Sequence, residues 1–396
     1  MSGIPAISGL QLGGDRSLPL LVLGPSLGTS AQALWSDAAR PLGEQFHVVA
    51  WDLPGHGRAK PATGGFTMHE LADGVLALIE KVLVERGAPG GTFAYAGVSV
   101  GGAVGLQLLL DHPGRISAAT LLCTGATIGT PESWAERAKR VRSSGTPVMV
   151  EGSAQRWFAP GFIEHQPAVA GALLDSLQHA DARSYAWVCE ALGGFDLRDL
   201  LDAITTPVLA IAGAADEATP VQSLREIADG VARGRLAVLD EVAHLAPAEA
   251  PAEVARLVTA HTASSRTVAE VRDAGMAVRR AVLGDAHVDR ATASTTDFTC
   301  DFQDLITQYA WGSIWTRPGL DRRSRSLITL TALVARGHHE ELAMHVRAAR
   351  TNGLSSDEIK ELLLQTAIYC GVPDANTAFR IAQAALEEAS TVPLPE

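Results

Sequence analysis

The sequence is poor in cysteine and in basic side chains, and it has no long hydrophobic run. Its 396 residues include four cysteines that lie far apart, with no Cys-x-x-Cys pair, a spacing that fits neither a disulfide framework nor a zinc site. The formal net charge of −12, without a strongly basic segment, argues against a nucleic-acid partner. No apolar run approaches the ~20 residues of a membrane-spanning helix, and no signal peptide is recognisable. We therefore expect a cytoplasmic protein with reduced thiols and without membrane or nucleic-acid partners.

Strand and helix patterns change at about residue 262. Hydrophobic residues make up 47% of the chain, enough for sizeable cores, and a chain of 396 residues favours two domains. Short apolar strands alternate with helices up to residue 262, whereas only helical patterns follow residue 268. The sequence therefore predicts an α/β domain over 1–262, a short polar linker over 263–267 and an all-helical domain over 268–396.

The predicted strands of the first domain are short apolar runs. Such runs are typical of a mostly parallel sheet that is covered on both faces by helices. They lie at residues 20–23, 46–51, 93–96, 116–123, 207–212 and 236–239. Between about 126 and 200 the strand signal disappears, and four helices are predicted instead. A helical insertion at this point of an α/β sheet indicates a cap over the ends of the strands.

A serine stands between the third predicted strand and the helix that follows it. The segment from Ala96 to Gly102 reads Ala-Gly-Val-Ser-Val-Gly-Gly, and its glycines permit a turn so sharp that backbone meets backbone. The turn would hold the hydroxyl of Ser99 above the end of the strand. We expect Ser99 to be a nucleophile, with the N–H groups of Val100 and Leu27 forming its oxyanion hole.

An acid and a histidine follow the serine in the order of a hydrolase triad. Asp216 and His244 each lie in a loop after a late strand. His244 would be the general base and later the acid, and Asp216 would orient its imidazole. Glu217 is an alternative acid, and His56, in an early glycine-rich loop, is an alternative histidine. If the three residues were unrelated, their order and positions after the right strands would be three coincidences.

The motifs around this triad resemble those of the 3-oxoadipate enol-lactone hydrolases, which implies an α/β-hydrolase fold with a helical cap. The resemblance covers about residues 1–262 and is carried by Pro-Ser-Leu-Gly-Thr at 25–29, Trp-Asp-Leu-Pro-Gly-His-Gly-Arg at 51–58, Gly-Val-Ser-Val-Gly-Gly at 97–102, and two cap segments at 131–137 and 156–158. It implies a small unsaturated lactone that bears a carboxylate as the substrate. Arg137 or Arg156 could contact that carboxylate and Trp134 could line the pocket, although solvated helix charges and ordinary helix packing remain the alternatives.

The second domain resembles the 4-carboxymuconolactone decarboxylases over nearly its whole length. The matching stretches are residues 279–290, 311–315, 319–327, 341–345 and 369–376. The same all-helical fold houses peroxidase-type relatives that use Cys-x-x-Cys followed by histidine, but Glu341 stands here in the place of the second cysteine. In the family's substrate, loss of CO₂ places negative charge on the conjugated lactone carbonyl, so the resemblance implies a reaction without cofactor or metal.

Candidate residues for the decarboxylation lie on the predicted helices. Glu341 and His345 are four residues apart and therefore share one helix face. His345 is the candidate acid, with Glu341 orienting it or acting itself, and His338 and His339 are nearby alternatives. Candidate contacts for the anionic groups are Arg290, Arg322, Arg323, Arg325 and Arg336. A surface ion pair and solvated arginines are the alternative interpretation.

Together the two resemblances imply a bifunctional enzyme of protocatechuate degradation. The second domain would convert 4-carboxymuconolactone to the enol-lactone, and the first would hydrolyse that product to 3-oxoadipate. The decarboxylases assemble into rings, so we expect a homo-oligomer built through residues 268–390. Two alternatives stay open: a lactonase or esterase whose C-terminal helices serve only oligomerisation, and a perhydrolase or haloperoxidase-like activity of the first domain.

Overall fold

The computed structural model describes residues 3–265, 268–317 and 319–390, and the statements below concern these residues. The chain divides into two compact units, Met1–Ser265 and Arg266–Glu396. The last helix of the first unit extends to Ser264, into the segment that was expected to be the linker. Arg266 and Thr267 of that segment lie outside the described residues. Within the described chain, no helix combines the length and the apolar character needed to cross a membrane.

The first unit is built on a seven-stranded sheet with the order β1-β3-β2-β4-β5-β6-β7. The strands are β1 (Ser8–Gly13), β2 (Leu20–Gly24), β3 (His47–Asp52), β4 (Phe93–Val98), β5 (Ile116–Leu122), β6 (Val208–Gly213) and β7 (Gly234–Leu239). All neighbouring pairs are parallel except β1 and β3. Every residue of β2, β3, β4 and β6 is buried. These strands read as continuous apolar runs because both of their faces are covered.

Helices cover the sheet and form the cap, as the sequence predicts. They are α1 (Ala31–Leu42), α2 (Met68–Glu85), α3 (Val100–Asp111), α4 (Pro131–Ser144), α5 (Val150–Trp157), α6 (Phe162–His165), α7 (Pro167–Gln178), α8 (Ala182–Gly193), α9 (Val221–Gly230), α10 (Ala246–Glu249) and α11 (Pro251–Ser264). Helices α4 to α8 lie between β5 and β6 in the chain and make up the cap. The sequence predicts four of these five helices, because the single turn of α6 is too short to show a helical period. The fold is therefore that of an α/β hydrolase with a helical insertion.

The second unit is helical throughout its described part. It consists of α12 (Val268–Leu283), α13 (Asp285–Ala293), α14 (Cys300–Ile306), a π-helix (Thr307–Trp315), α15 (Arg322–Arg336), α16 (His339–Thr351), α17 (Ser356–Cys370) and α18 (Val372–Ser390). The pattern Ser-x-x-Glu at 355–358 predicts a capping box, and one is present at the start of α17, because the Ser355 side chain accepts from the N–H of Glu358 and the Glu358 side chain accepts from the N–H of Ser355. The core of this unit is apolar and includes Leu330, Val346 and Leu363.

Two glycines allow α12 and the π-helix to approach backbone to backbone. A Cβ at Gly275 would lie 2.2 Å from the carbonyl oxygen of Thr307, and one at Gly312 would lie 2.3 Å from that of Val271. Any larger residue would push the two helices apart, so this contact depends on hydrogen as the side chain.

Candidate active site

The serine lies at the tip of the turn that the sequence predicts. Strand β4 ends at Val98, α3 begins at Val100, and Ser99 between them has φ 54° and ψ −117°. A Cβ at Gly97 would be 2.3 Å from the carbonyl oxygen of Gly101. The turn is therefore too tight for any other residue at Gly97, and its geometry fixes the direction of the Ser99 side chain.

The acid and the histidine are in direct contact. His244 Nδ1 lies 2.9 Å from Asp216 Oδ2, and both side chains are buried. Burial opposes the ionisation of Asp216, but the charge of His244 and several hydrogen bonds outweigh it and hold the Asp216 pKa below its ordinary value. Because Nδ1–H donates to the carboxylate, Nε2 of His244 is the ring nitrogen that can accept a proton from a nucleophile.

A threonine that sequence reasoning missed completes this pair. Thr219 Oγ1 donates to Asp216 Oδ2 at 2.7 Å, and its backbone N–H donates to Oδ1 at 3.1 Å. The backbone N–H of Ala218 also donates to Oδ1, at 2.9 Å. The only signal in the sequence is a hydroxyl residue three positions after an aspartate, a pattern shared by many turns.

Glu217 and His56, the alternative acid and the alternative histidine, do not take part in this contact. Asp216 is the carboxylate bonded to His244, whereas Glu217 is exposed beside it. His56 is fully buried, with Nδ1 3.0 Å from the carbonyl oxygen of Pro54 and its ring stacked on Tyr185. Burial lowers the pKa of His56 to about 4, so this ring is neutral at neutral pH.

A cavity of about 310 Å³ joins the predicted residues of the first unit. Ser99 and His244 both line it, together with Ser26, Leu27, Ile128, Gly129, Ser133, Trp134, Arg137, Arg156, Trp157 and Ala218. Val100, the other expected oxyanion donor, follows Ser99 directly and is buried. The cap supplies one wall and the sheet loops supply the other, so a molecule bound here would touch both.

Two arginines give this cavity a positive wall. The guanidinium of Arg137 lies over the rings of Trp134 and Tyr185, at 5.4 and 5.5 Å from their centroids, and donates to the Tyr185 hydroxyl. The pKa of Arg156 is lowered, first by burial and then by the charge of Arg137. Within the described residues neither arginine is in an ion pair with a carboxylate. The wall is therefore suited to an anionic group of a ligand.

In the second unit, His345 is half-buried on α16, and Glu341 is exposed one turn before it. Burial lowers the pKa of His345, Glu341 opposes that shift, and a second histidine, His287, adds to it. His338 is exposed and His339 is half-buried.

The expected anion contacts of the second unit have different environments. Arg290, Arg322 and Arg336 are exposed. Arg323 pairs with Glu358 and also donates to a backbone carbonyl. Arg325 donates to the carbonyl oxygens of Arg317 and Leu320, at 2.8 and 3.1 Å. Its guanidinium therefore stabilises the segment that leads into α15.

Arg279 and His287 are further candidates that the sequence analysis did not single out. Arg279 is only 6% exposed, and it donates to the neutral side chains of Thr307 and Gln303, at 3.3 and 3.0 Å. Burial lowers the pKa of His287, and Arg279, Arg290 and Arg347 lower it further. Arg279, His287 and Arg290 lie within residues 279–290, a stretch that resembles the decarboxylases, and this resemblance was the signal in the sequence that could have identified Arg279 and His287.

Comparisons with known proteins match each unit separately. A family model described as serine aminopeptidase, S33, matches residues 37–251, and the carboxymuconolactone decarboxylase family model matches residues 301–384. The chain is 33% identical to a 3-oxoadipate enol-lactonase of Acinetobacter baylyi over 238 residues, 60% of this chain and 86% of the relative. It is 44% identical to a 4-carboxymuconolactone decarboxylase of the same organism over 119 residues, 30% of this chain and 89% of the relative.

A solved structure agrees with the first match. The enol-lactonase of Burkholderia xenovorans LB400 superposes with a TM-score of 0.60 at 30% sequence identity, covering 64% of this chain and 95% of that one. Each match spans most of its relative's length, and the two matches fall on different units of the chain. The chain therefore belongs to the α/β-hydrolase family of the 3-oxoadipate enol-lactonases through its first unit and to the carboxymuconolactone decarboxylase family through its second.

Proposed function

We propose that the chain catalyses two successive reactions. The second unit decarboxylates 4-carboxymuconolactone to 3-oxoadipate enol-lactone, and the first unit hydrolyses the enol-lactone to 3-oxoadipate. One observation carries this proposal: each unit matches nearly the full length of a separate enzyme, and the product of one enzyme is the substrate of the other. The order of the units along the chain is the reverse of the order of the reactions.

In the hydrolysis, Ser99 is the nucleophile. Its Oγ bonds to the lactone carbonyl carbon while His244 Nε2 takes the hydroxyl proton, and the oxyanion is held by the N–H groups of Val100 and Leu27. The ring C–O bond breaks, the leaving enolate takes the proton from His244, and the resulting enol becomes a ketone. Water, deprotonated by His244, then attacks the acyl-enzyme, releases the new carboxylate and restores Ser99.

The substrate's own carboxylate is bound by the positive wall of the cavity. Arg137 and Arg156 line the same cavity as Ser99 and His244, and the described residues offer them no acidic partner. A guanidinium that is already partly desolvated and unpaired binds a carboxylate with little further cost. Trp134 supports the Arg137 side chain from one face.

In the decarboxylation, the carbon–carbon bond to the leaving carboxylate breaks and CO₂ departs. Its electron pair spreads through the conjugated C=C bond onto the lactone carbonyl oxygen. His345 then donates a proton to the ring carbon, with Glu341 orienting its imidazole. Arg279, Arg290 and His287 attract the carboxylates. Bound anions would raise the pKa values of the two histidines, which are lowered in the free protein, and would so favour the protonated form that the step requires.

The second unit also forms the interface of a homo-oligomer. Of 18 large apolar side chains that are exposed among the described residues, 13 lie in this unit, although it is the smaller one. Ile368, Tyr369 and Val372 are exposed by 80, 81 and 71% and are close together in sequence. Exposed apolar side chains in this number are costly in water and favour association. The cytoplasmic location and the absence of nucleic-acid and membrane partners stay predictions.

The test follows 4-carboxymuconolactone, CO₂ and 3-oxoadipate together in one reaction. We expect Ser99→Ala to release CO₂ but stop at the enol-lactone, with hydrolysis reduced at least about 10³-fold. We expect His345→Ala to lose CO₂ release but still hydrolyse added enol-lactone. His287→Ala and Glu341→Gln, measured beside it, identify the proton donor.

The alternative functions give different results in the same assay. Hydrolysis of enol-lactone by the wild type without any CO₂ release would mean that the second unit is only an oligomerisation module. Oxidation of halide by peroxide with an organic acid, without lactone hydrolysis, would mean a perhydrolase-type first unit.

A further inference from the structure

A buried carboxylate outside the triad joins the cap to the loop that carries His244. Glu249 ends α10, five residues after the histidine. Its Oε1 accepts from the backbone N–H groups of Ala243 and Leu245, at 3.0 and 3.3 Å, so it binds the residues on both sides of His244. Its Oε2 accepts from the N–H of Ala159, in the cap, at 2.7 Å. One side chain therefore holds the loop 243–245 and Ala159, a cap residue that lies 90 positions before Glu249 in the sequence.

The cap returns a hydrogen bond to the same loop. The backbone N–H of His244 donates to the carbonyl oxygen of Trp157 at 3.2 Å. Trp157 lines the cavity together with Ser99 and His244, and it is two residues before Ala159. The cap segment 157–159 and the loop 243–245 are thus linked by bonds in both directions, immediately beside the reaction centre.

We propose that Glu249 is a positioning residue that couples the cap to His244. This inference rests on the proposed hydrolytic role of Ser99, Asp216 and His244. The hydrogen bond to Asp216 sets the tautomer of the imidazole, while Glu249 sets the place of the backbone from which the imidazole projects. A ligand that contacts Trp157 or Arg156 in the cavity can therefore shift His244 through the same hydrogen bonds.

The chemistry of the site requires an ionised carboxylate. Three N–H donors converge on the two oxygens of Glu249, and a carboxylate is the side chain that accepts at both ends without donating. Burial raises the pKa of Glu249, and the three N–H groups and the charge of His244 act against that shift. A glutamine in its place would accept at one end and turn an NH₂ group toward an N–H at the other, so it would break one side of the link while keeping the shape.

The hydrogen bond between Ala159 and Glu249 can be removed by changing either its acceptor or its donor. Glu249→Gln changes the acceptor, and Ala159→Pro removes the cap donor. Phe158, which precedes Ala159, is extended at φ −119° and ψ 141°, the conformation that a proline favours in the residue before it. Ala159 does not line the cavity that contains Ser99, but it lines a neighbouring cavity together with Arg156 and Asp216, so KM is measured beside kcat to separate loss of the link from a change in that cavity.

The experiment measures kcat and KM for enol-lactone and for p-nitrophenyl acetate, and the rate at which a fluorophosphonate labels Ser99. We expect each single variant to lower kcat and the labelling rate on the order of tenfold, and the double variant to be no slower than the slower single one. Glu253→Gln, an exposed glutamate paired with Arg256 on α11, is the matched control and keeps wild-type values.

Three results separate the possible failures. Wild-type labelling rates in Glu249→Gln or Ala159→Pro overturn the coupling, and so do effects that multiply in the double variant. If Glu249→Gln does not fold, Ala159→Pro alone decides, because its effect on kcat rather than on KM is what coupling requires. If the wild type is not labelled at Ser99 and hydrolyses neither compound, the proposed hydrolase function fails and not the link alone.

Discussion

Three residues of the first unit adopt a backbone conformation that is rare for side chains other than glycine. Among the described residues, Ser99, Cys123 and Glu241 are the non-glycine positions with positive φ, at 54°, 46° and 57°. They follow β4, β5 and β7, so all three lie at the carboxyl edge of the sheet, where the cavity is found. Such conformations cost about 1–3 kcal/mol each and persist where the surroundings enforce them. The strain is concentrated at the site that uses Ser99.

Charge at the cavity wall gives a prediction for single residues. Because Arg137 has no carboxylate partner in the described chain, its free charge is available to an anionic substrate. A hydrogen bond to a charged group contributes about 1.5–3 kcal/mol. We therefore expect Arg137→Gln to raise KM for the enol-lactone about 10- to 100-fold and to leave the hydrolysis of neutral p-nitrophenyl acetate nearly unchanged. Steady-state kinetics with the two compounds measure this difference.

A control on the same helix removes a charge without reaching the cavity. Arg140 is exposed on α4, donates to the carbonyl oxygen of Val148 and is not among the residues that line the cavity, so Arg140→Gln keeps both KM values. An equal loss of activity toward the neutral ester in Arg137→Gln would instead mean that Arg137 supports the cap through Trp134 and Tyr185.

Two helices of the cap, α4 and α8, show why some helices can be predicted accurately from the sequence. Helices α4 and α8 each have an N-cap side chain that accepts from a backbone N–H, Thr130 for the first and Asp181 for the second. The two helices pack against each other, with Ala138 and Val141 of α4 and Val188 and Leu192 of α8 among their buried residues. The sequence predicts helices over 132–143 and 183–192, close to the observed Pro131–Ser144 and Ala182–Gly193, because local capping and amphipathic spacing agree with the tertiary contacts.

The close contact between α12 and the π-helix gives a prediction about helix packing. Gly275→Ala places a methyl group against the carbonyl oxygen of Thr307, and overpacking of this kind costs about 1–3 kcal/mol. We expect a lower Tm for the second unit, measured by calorimetry. Helix propensity alone predicts the opposite, a gain of up to about 1 kcal/mol for alanine over glycine. Gly319→Ala, where a Cβ would meet no atom within 4 Å, is the control.

The whole molecule combines two cores that do not depend on a shared sheet or helix. The first core surrounds the seven-stranded sheet and the cap, and the second is formed by the C-terminal helices. Joining them in one chain fixes the ratio of two enzymes that act in sequence.

Assembly is tested at the level of the whole molecule. We expect Ile368→Glu to reduce the oligomer to smaller species, because a charge would replace an apolar side chain that is 80% exposed in the single chain and that the proposed interface would cover. Size-exclusion chromatography with light scattering measures the mass. Val84→Glu, at an exposed apolar residue of the first unit, is the matched control and leaves the mass unchanged. An unchanged mass in Ile368→Glu would place the interface elsewhere.

The sequence alone determined the features that depend on local backbone chemistry. The glycines around Ser99 indicate its turn, apolar runs indicate the parallel strands, and Ser355 with Glu358 indicates a helix start. Strand β1 was not predicted, because an edge strand with a half-exposed, irregular pattern has no buried run to mark it. Helices α1 and α9 were also not predicted.

Only the tertiary structure decided which distant residues meet. It placed Asp216 rather than Glu217 against His244, added Thr219 beside them and joined Glu249 to Ala159. It also buried Arg279 against the neutral side chains of Thr307 and Gln303 and placed His287 where three arginines lower its pKa. Each of these contacts links residues through the packing of separate elements. Periodicity and turn chemistry report the conformation of neighbouring residues, whereas these contacts arise only when the helices and loops close over the sheet or over one another.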